Sequence, residues 1–193
     1  MLASITPLGE RSRGFSWRIT ATAFAIGALA GGAAVGAAAG LIGSAVPDGR
    51  PWRYGAALLA AGLALAHDLL AAGSRPPGTR RQVDEDWLTR YRGWVYGLGF
   101  GVQLGGGVVT IVSSAATYAA FAACVLSGDV AAGAVIGTVF GAVRAAAILP
   151  AGRVHDWAGL QGLHRGLLRW QGAGRRAGIA IEVGAVVVLA VTA

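Results

Sequence analysis

Charge is what this sequence lacks over most of its length. Five long stretches consist almost entirely of Ala, Gly, Leu, Val and Ile, and they cover residues 19–46, 55–73, 95–128, 130–150 and 177–193. Each stretch is close to or longer than the ~20 apolar residues that cross a bilayer as a helix. The pattern predicts a multi-pass membrane protein. The alternative is a soluble helical protein with very Ala-rich core helices.

Several residue types are also missing. The chain has no lysine and no asparagine, so all 16 basic residues are arginines, a composition typical of a GC-rich bacterial genome. Its single cysteine, Cys124, excludes an intramolecular disulfide and a two-cysteine redox relay, and we interpret it as a small apolar helix residue. P-loop, HExxH, GxSxG and CxxC motifs are absent, so we predict neither enzymatic activity nor a cofactor.

The arginines that are present lie between the apolar stretches. Three precede residue 19, two lie in 47–54, five in 74–94, none beside Asp129, and five in 151–176. Because basic residues concentrate in cytoplasmic loops, this alternation predicts five transmembrane helices in a bacterial inner membrane, with the N-terminus cytoplasmic and the C-terminus outside. Anionic lipid attracts arginine-rich connections, so the net charge of +7 requires no nucleic-acid partner.

The first apolar stretch follows three arginines, as the core of a secretory signal does. At 28 residues it is longer than the ~7–15 residues of a signal core. We therefore interpret it as a retained transmembrane helix, with a cleaved leader as the alternative.

A single membrane domain is predicted over 1–193, built from two similar units. The sequence ALAGGAAV at 28–35 resembles QLGGGVVT at 103–110, and the helix that follows each is shorter. Both units begin and end on the same side, so we predict parallel repeats over 19–73 and 95–150. The remaining parts are a cytoplasmic N-terminus (1–18), a cytoplasmic connection (74–94), an interfacial segment (151–176) and the last helix (177–193). Trp, Leu and Arg at helical spacing predict amphipathic interfacial helices in the connection and in the interfacial segment.

Three consecutive glycines, Gly105, Gly106 and Gly107, interrupt the longest apolar stretch. As one straight helix, residues 95–125 would be ~46 Å long, well beyond the ~30 Å hydrocarbon core. The stretch either breaks at these glycines, as transporter helices do at a binding site, or uses them for close helix packing. For Gly31 and Gly32 we favour packing.

Ionisable residues inside the apolar stretches mark the candidate site. His67 and Asp68 lie in the second stretch, Arg144 in the fourth and Glu182 in the fifth, and Gln103 in the third is predicted to reach the same layer. Two interpretations remain open. Either Arg144 neutralises a carboxylate and locks helices together, or a spare carboxylate beside a titratable histidine serves a proton or cation relay.

Other polar groups have simpler predicted roles. The hydroxyl-rich stretch 110–118 either lines a path or bonds back to the carbonyls of its own helix. His155 and His164 lie nine residues apart with no third ligand nearby, so we predict headgroup contact there and no metal site.

The segment YGLGFGVQLGGGVVT at 96–110, together with the repeated, glycine-interrupted helices, resembles a known superfamily. It unites the membrane domains of thiol-disulfide interchange and cytochrome c biogenesis proteins with amino-acid and sulfite exporters. The resemblance implies duplicated helical units with a broken helix at the start of each. Its electron-carrying members place a cysteine in the first helix of each repeat. The matching positions around Gly31 and Gly106 have none, so dithiol electron transfer by this chain alone is not expected.

The sequence therefore predicts an all-α polytopic integral membrane protein that transports a small solute or is a transporter-like subunit. The alternative is a non-transporting scaffold or assembly subunit that assists a redox or biogenesis partner. The lipid bilayer is the predicted partner in both cases, together with a second copy of the chain or a membrane partner subunit.

Overall fold

The structure is a computed structural model that describes residues 5–47, 50–70, 76–77, 86–107, 112 and 114–192. These residues form eight α-helices and one 3₁₀ turn, with no strand among them. The elements are α1 (Pro7–Ser12), α2 (Trp17–Ser44), α3 (Arg50–Leu70), α4 (Trp87–Arg90), α5 (Gly93–Gly106), α6 (Ala116–Ser127), α7 (Val130–Ala146), the 3₁₀ turn (Leu149–Arg153) and α8 (Trp157–Thr192). The all-α prediction is confirmed for the described part of the chain.

The helices follow the apolar stretches in part. The stretches 19–46, 55–73 and 130–150 correspond to α2, α3 and α7 with its 3₁₀ turn. The stretch 95–128 is divided between α5 and α6. No helix end separates the predicted interfacial segment from the predicted last helix, because both lie within α8. In the connection 74–94, the described helix before α5 is the four-residue α4.

Glycines line the side of α2 that packs against α5. A Cβ atom placed on Gly31 would lie 2.4 Å from the carbonyl oxygen of Val102, and one on Gly105 would lie 2.0 Å from that of Ala28. Any larger residue would collide with backbone here, so the two helices meet backbone to backbone. Glycine at every fourth position of α5, at 93, 97, 101 and 105, places these contacts on one face of the helix.

A second glycine seam joins α2 to α7. Gly32 faces Gly137 and Gly36 faces Gly133, and a Cβ atom on Gly32 or Gly36 would lie 2.1 Å from the facing carbonyl oxygen. Close packing, the interpretation favoured for Gly31 and Gly32, is therefore what the structure shows. Rising residue numbers in α2 meet rising numbers in α5 but falling numbers in α7, so α5 runs parallel to α2 and α7 runs antiparallel to it.

One end of the bundle is held by an arginine. The guanidinium of Arg53, near the start of α3, donates to the carbonyl oxygens of Gly43 at 3.0 Å and Val46 at 2.8 Å. It also reaches the carbonyl of Leu126 at 3.5 Å, near the end of α6. The last carbonyls of a helix lack intrahelical donors, so Arg53 caps α2 and α6 from a third helix.

The opposite end contains most of the large apolar core. Its fully buried members include Phe24 of α2, Tyr96 and Phe100 of α5, and Ile148 beyond α7. The N-terminal segment lies against this core, because Ile5 is buried within it and the Leu8 amide donates to the Val154 carbonyl at 3.1 Å.

Large apolar side chains also face outward along the bundle. Ile42 of α2 is 65% exposed, Leu63 of α3 is 62% exposed and Val143 of α7 is 69% exposed. Two described helical segments, Trp17–Ser44 and Val130–Arg153, are long and apolar enough to cross a membrane by length and composition. Buried core helices of soluble proteins meet the same criterion, and the other three predicted spans are not confirmed by it.

Candidate functional site

Asp68, near the end of α3, lies at the N-terminus of α6. Its carboxylate accepts hydrogen bonds from the Ser114 hydroxyl at 2.6 Å and from the Ala115 amide at 3.0 and 3.2 Å. The first amides of a helix lack intrahelical acceptors and form the positive end of its dipole. Asp68 thus acts as an N-cap supplied by another helix, at the start of the second of the two helices into which the stretch 95–128 is divided.

Glu182 of α8 completes a pair of acids. It is 7% exposed, and its carboxyl group lies beside Asp68 and Ser114. Two carboxylates placed this close repel each other, so the arrangement favours one protonated group. The Oε2 atom of Glu182 is buried and has no hydrogen-bond partner.

Two further groups border this acid pair. The Nδ1 atom of His67 lies 3.0 Å from the Asp68 Oδ1 atom. The Arg175 guanidinium, from α8, donates to the backbone carbonyl of Asp68 at 2.8 Å. Arg175 therefore caps the end of α3 in the same way that Arg53 caps α2. The sequence signal for this cap was an arginine at the edge of the fifth apolar stretch.

Arg144 and Gln103 lie elsewhere. The Arg144 guanidinium sits over the Phe140 ring at 5.3 Å from its centroid, on α7, a helix that packs against α2, α5 and α6. The interactions described for the two acids involve each other, His67 and the start of α6. This arrangement differs from the predicted Asp68–Arg144–Glu182 cluster. Gln103 is half-buried on α5, which packs against α2 and α7.

The three consecutive glycines coincide with a helix end. Gly105 and Gly106 close α5, and Gly107 follows with a left-handed backbone at φ 70°. Its amide donates to the Leu104 carbonyl at 3.2 Å. Glycine adopts this conformation without steric cost, which makes it the usual residue after a helix end. Gly105 also takes part in the α2–α5 seam, so the triple glycine both ends a helix and packs closely against a neighbouring one.

A second polar cluster was not anticipated from the sequence. Glu10 of α1 is fully buried and accepts from the Thr20 hydroxyl at 2.7 Å, the Tyr96 hydroxyl at 2.5 Å and the Arg13 guanidinium at 2.6 Å. The cluster ties α1 to α2 and α5. One available signal was that Glu10 is the only acidic residue before position 48.

The remaining predicted residues have local contacts. Cys124 is buried on α6, with its Sγ atom 3.7 Å from the Gly133 carbonyl oxygen of α7. His155 is exposed, and its Nδ1 atom lies 3.1 Å from the Arg153 carbonyl oxygen. His164 is exposed on α8. Among the described residues, no three His, Cys, Asp or Glu side chains are grouped to hold a metal ion.

Comparison with known proteins gives one informative similarity. The chain is 39% identical over 110 residues to the methylamine utilization protein MauF of Paracoccus versutus, and the match covers 56% of this chain. It covers 39% of the length of that relative. No family model matches the chain, and no solved structure matches it.

Proposed function

We propose that this chain is a membrane-embedded scaffold or assembly subunit that assists a redox or biogenesis partner and does not itself carry solute. The observation that carries the proposal is the similarity to a relative named for methylamine utilization. That name refers to a metabolic process and makes no reference to transport. The similarity therefore favours the scaffold over the transporter predicted from the glycine-interrupted helices.

The distribution of side chains supports the membrane location. The close contacts of α2 with α5 and α7 are made by backbone at glycine and alanine, whereas large apolar side chains such as Leu41, Leu59 and Val135 are 60–63% exposed. Soluble proteins rarely expose apolar surface of this extent. In a bilayer these side chains contact lipid instead of water, so their exposure is not unfavourable. Helices in lipid associate through small residues and close packing.

The packing of α2 supports a fixed framework. Transport by the predicted mechanism requires one repeat to move against the other around the glycine break. Yet at the seam glycines α5 and α7 both touch α2 backbone to backbone, which leaves little room for one helix to slide past the other. The N-terminus of α6, where a substrate anion would bind in a broken-helix site, is already occupied by the Asp68 carboxylate.

The first and last helices of the described chain, α1 and α8, place Leu8 and Leu189 at opposite ends of the bundle. The segment containing α1 packs beside the 3₁₀ turn that follows α7. Leu189, near the end of α8, lines a surface cavity with Arg53 and Ser127 at the far end. We propose that the first end is cytoplasmic and the second lies outside, in keeping with the arginine pattern.

The test is a deletion in the organism that encodes the chain, grown on methylamine. Uptake of radiolabelled methylamine by intact cells is measured beside methylamine oxidation in lysed cells. A scaffold predicts normal uptake and reduced oxidation, restored by the wild-type gene. Reduced uptake with full oxidation in lysed cells would overturn the proposal in favour of a transporter, and two unchanged measurements would remove the link to methylamine.

A further inference from the structure

α8 differs from every other described helix in length and in how little of it is packed. Its 36 residues correspond to ~54 Å, whereas the hydrocarbon core is ~30 Å thick. In its second half, Glu182 meets Asp68 of α3. Its first half, residues 157–176, is mostly exposed. We name these residues the crossing segment.

The crossing segment is tied to the bundle at both ends. At its start, the buried Val154 precedes it and binds Leu8 through its carbonyl. Near its end, Arg175 binds the last carbonyls of α3, at Asp68 and Leu69. The 18 residue steps from Trp157 to Arg175 correspond to ~27 Å of helix. The segment therefore connects the turn that follows α7, on the side of the bundle that we propose is cytoplasmic, with the end of α3.

The crossing segment has two chemically distinct faces. At 100° per residue, Leu160, Leu163 and Leu167 fall within an arc of about 60°. Arg165, Arg169 and Arg176 fall within an arc of about 40° on the other side of the helix. The segment contains four arginines and no acidic residue.

Two tryptophans of the crossing segment, Trp157 and Trp170, lie before and after its leucines in the sequence. Trp157 is 67% exposed and Trp170 is 72% exposed, and Leu167 and Leu168 between them are 50% and 57% exposed. Tryptophan favours the boundary between hydrocarbon and headgroups. An apolar stripe with tryptophan and an opposing arginine row is typical of a helix that lies in that boundary.

We propose that the crossing segment binds anionic phospholipid headgroups on the cytoplasmic side of the bilayer. The leucines and tryptophans enter the boundary between headgroups and acyl chains, while Arg165, Arg169 and Arg176 bind lipid phosphates through paired N–H donors. Charge complementarity selects this occupant, because the segment is purely basic and the cytoplasmic leaflet is negative. The inference rests on the proposed membrane location.

The experiment uses the full chain with Cys124→Ala, reconstituted in nanodiscs of phosphatidylcholine with or without phosphatidylglycerol. A spin label is attached at Leu167→Cys, and its depth is read from collision with oxygen and with a water-soluble nickel chelate. A second label at Val139→Cys, on the outer face of α7, reports membrane insertion. We expect Val139 to be lipid-embedded in both discs and Leu167 to lie deeper in the anionic discs.

Matched variants identify the arginines responsible. Arg165→Gln with Arg169→Gln abolishes the depth difference at Leu167, whereas Arg90→Gln with Arg92→Gln, which removes equal charge from the other connection, preserves it. If the Leu167 label is equally accessible to water in both discs, the inference is overturned and a protein partner becomes the better candidate for this surface. Equal depth changes in both double variants would also overturn it. A water-exposed Val139 label would overturn the proposed membrane location as well.

Discussion

Two regions of the bundle join helices in different ways. Along the α2 seams, backbone touches backbone, and the contacts with α5 and α7 are made by glycines such as Gly31, Gly36 and Gly105. At the junction of α3, α6 and α8, side chains reach across the gaps, and Asp68, Glu182 and Arg175 provide the contacts. We call this second region the acid junction.

The glycine seams fix the positions of their helices, whereas the contacts of the acid junction can rearrange. A glycine seam has no side chain that can rotate, so it accepts neither a larger residue nor a displaced helix. The acid junction has several donors and acceptors, and its members can exchange partners or a proton. We therefore expect substitutions in the seams to affect folding and substitutions in the junction to affect stability more gently.

The largest expected effect is from Gly36→Val. The Cβ atom would collide with the Gly133 carbonyl oxygen, and backbone on both helices would have to move. We expect destabilisation beyond the 1–3 kcal/mol typical of overpacked cores, measured as loss of the folded, monodisperse species in detergent. Gly62→Ala is the control, because Gly62 has no atom near its Cβ position. It should stabilise α3 by about 0.5–1 kcal/mol, and equal damage from both would contradict the seam description.

Glu10→Ala is expected to have the next largest effect. It removes the acceptor shared by Thr20, Tyr96 and Arg13 in a fully buried position. Breaking a buried charged network costs about 3–5 kcal/mol, which should appear as a lower midpoint of thermal unfolding. Glu10→Gln keeps an acceptor oxygen and should cost less. Equal midpoints for the wild type and the Ala variant would show that α1 contributes nothing to the core.

Asp68→Ala should cost less because its site lies at a helix end. Loss of an N-cap costs about 1–2 kcal/mol, and the neighbouring dipole and Ser114 hydrogen bond are lost with it. Asp129→Ala is the matched control, since Asp129 caps α7 from within its own chain segment at 2.7 Å from the Ala132 amide. Chemical denaturation of both variants compares them directly. A larger loss for Asp129 would contradict the assignment of Asp68 as the cap of α6.

Glu182→Gln should have the smallest effect. An amide can donate to Asp68 as a protonated acid does, so we expect the free energy of unfolding to change by about 1 kcal/mol or less. Glu182→Leu removes the donor and should destabilise the α3–α8 contact more. If the Gln variant instead loses several kcal/mol, Glu182 is ionised in the wild type and the description of the acid pair is wrong.

The sequence predicted the parts of the fold that depend on composition along the chain. The positions of α2, α3 and α7 follow from apolar runs that end at charged or turn-forming residues. Close packing was predicted for Gly31 and Gly32, but the glycine spacing of four in α5 and α7 was not used as a packing signal. Asp68, His67 and Glu182 were identified as one group from their depth in the apolar stretches.

The sequence was less informative about which helices are neighbours. Arg144 was assigned to the acids because its distance from the end of its stretch matched theirs, but depth does not specify direction around a bundle. Glu10 lay outside the apolar stretches, so its burial became evident only from the packing of α1 against α2 and α5. The continuity of α8 was not predicted either, because arginines usually mark the boundary of a transmembrane helix. Those of α8 lie within one continuous helix.

By itself, the sequence determined the all-helical class, the close packing at Gly31 and Gly32, and the ionisable residues that lie within apolar stretches. These follow from local periodicity and from the free energy of burying charge, which depend on the residues alone. The tertiary structure decided that Asp68 caps α6, that Arg53 and Arg175 close helix ends, and that Arg144 packs on Phe140. Those contacts join residues up to 107 positions apart or depend on how each helix is rotated about its axis, which no local pattern encodes.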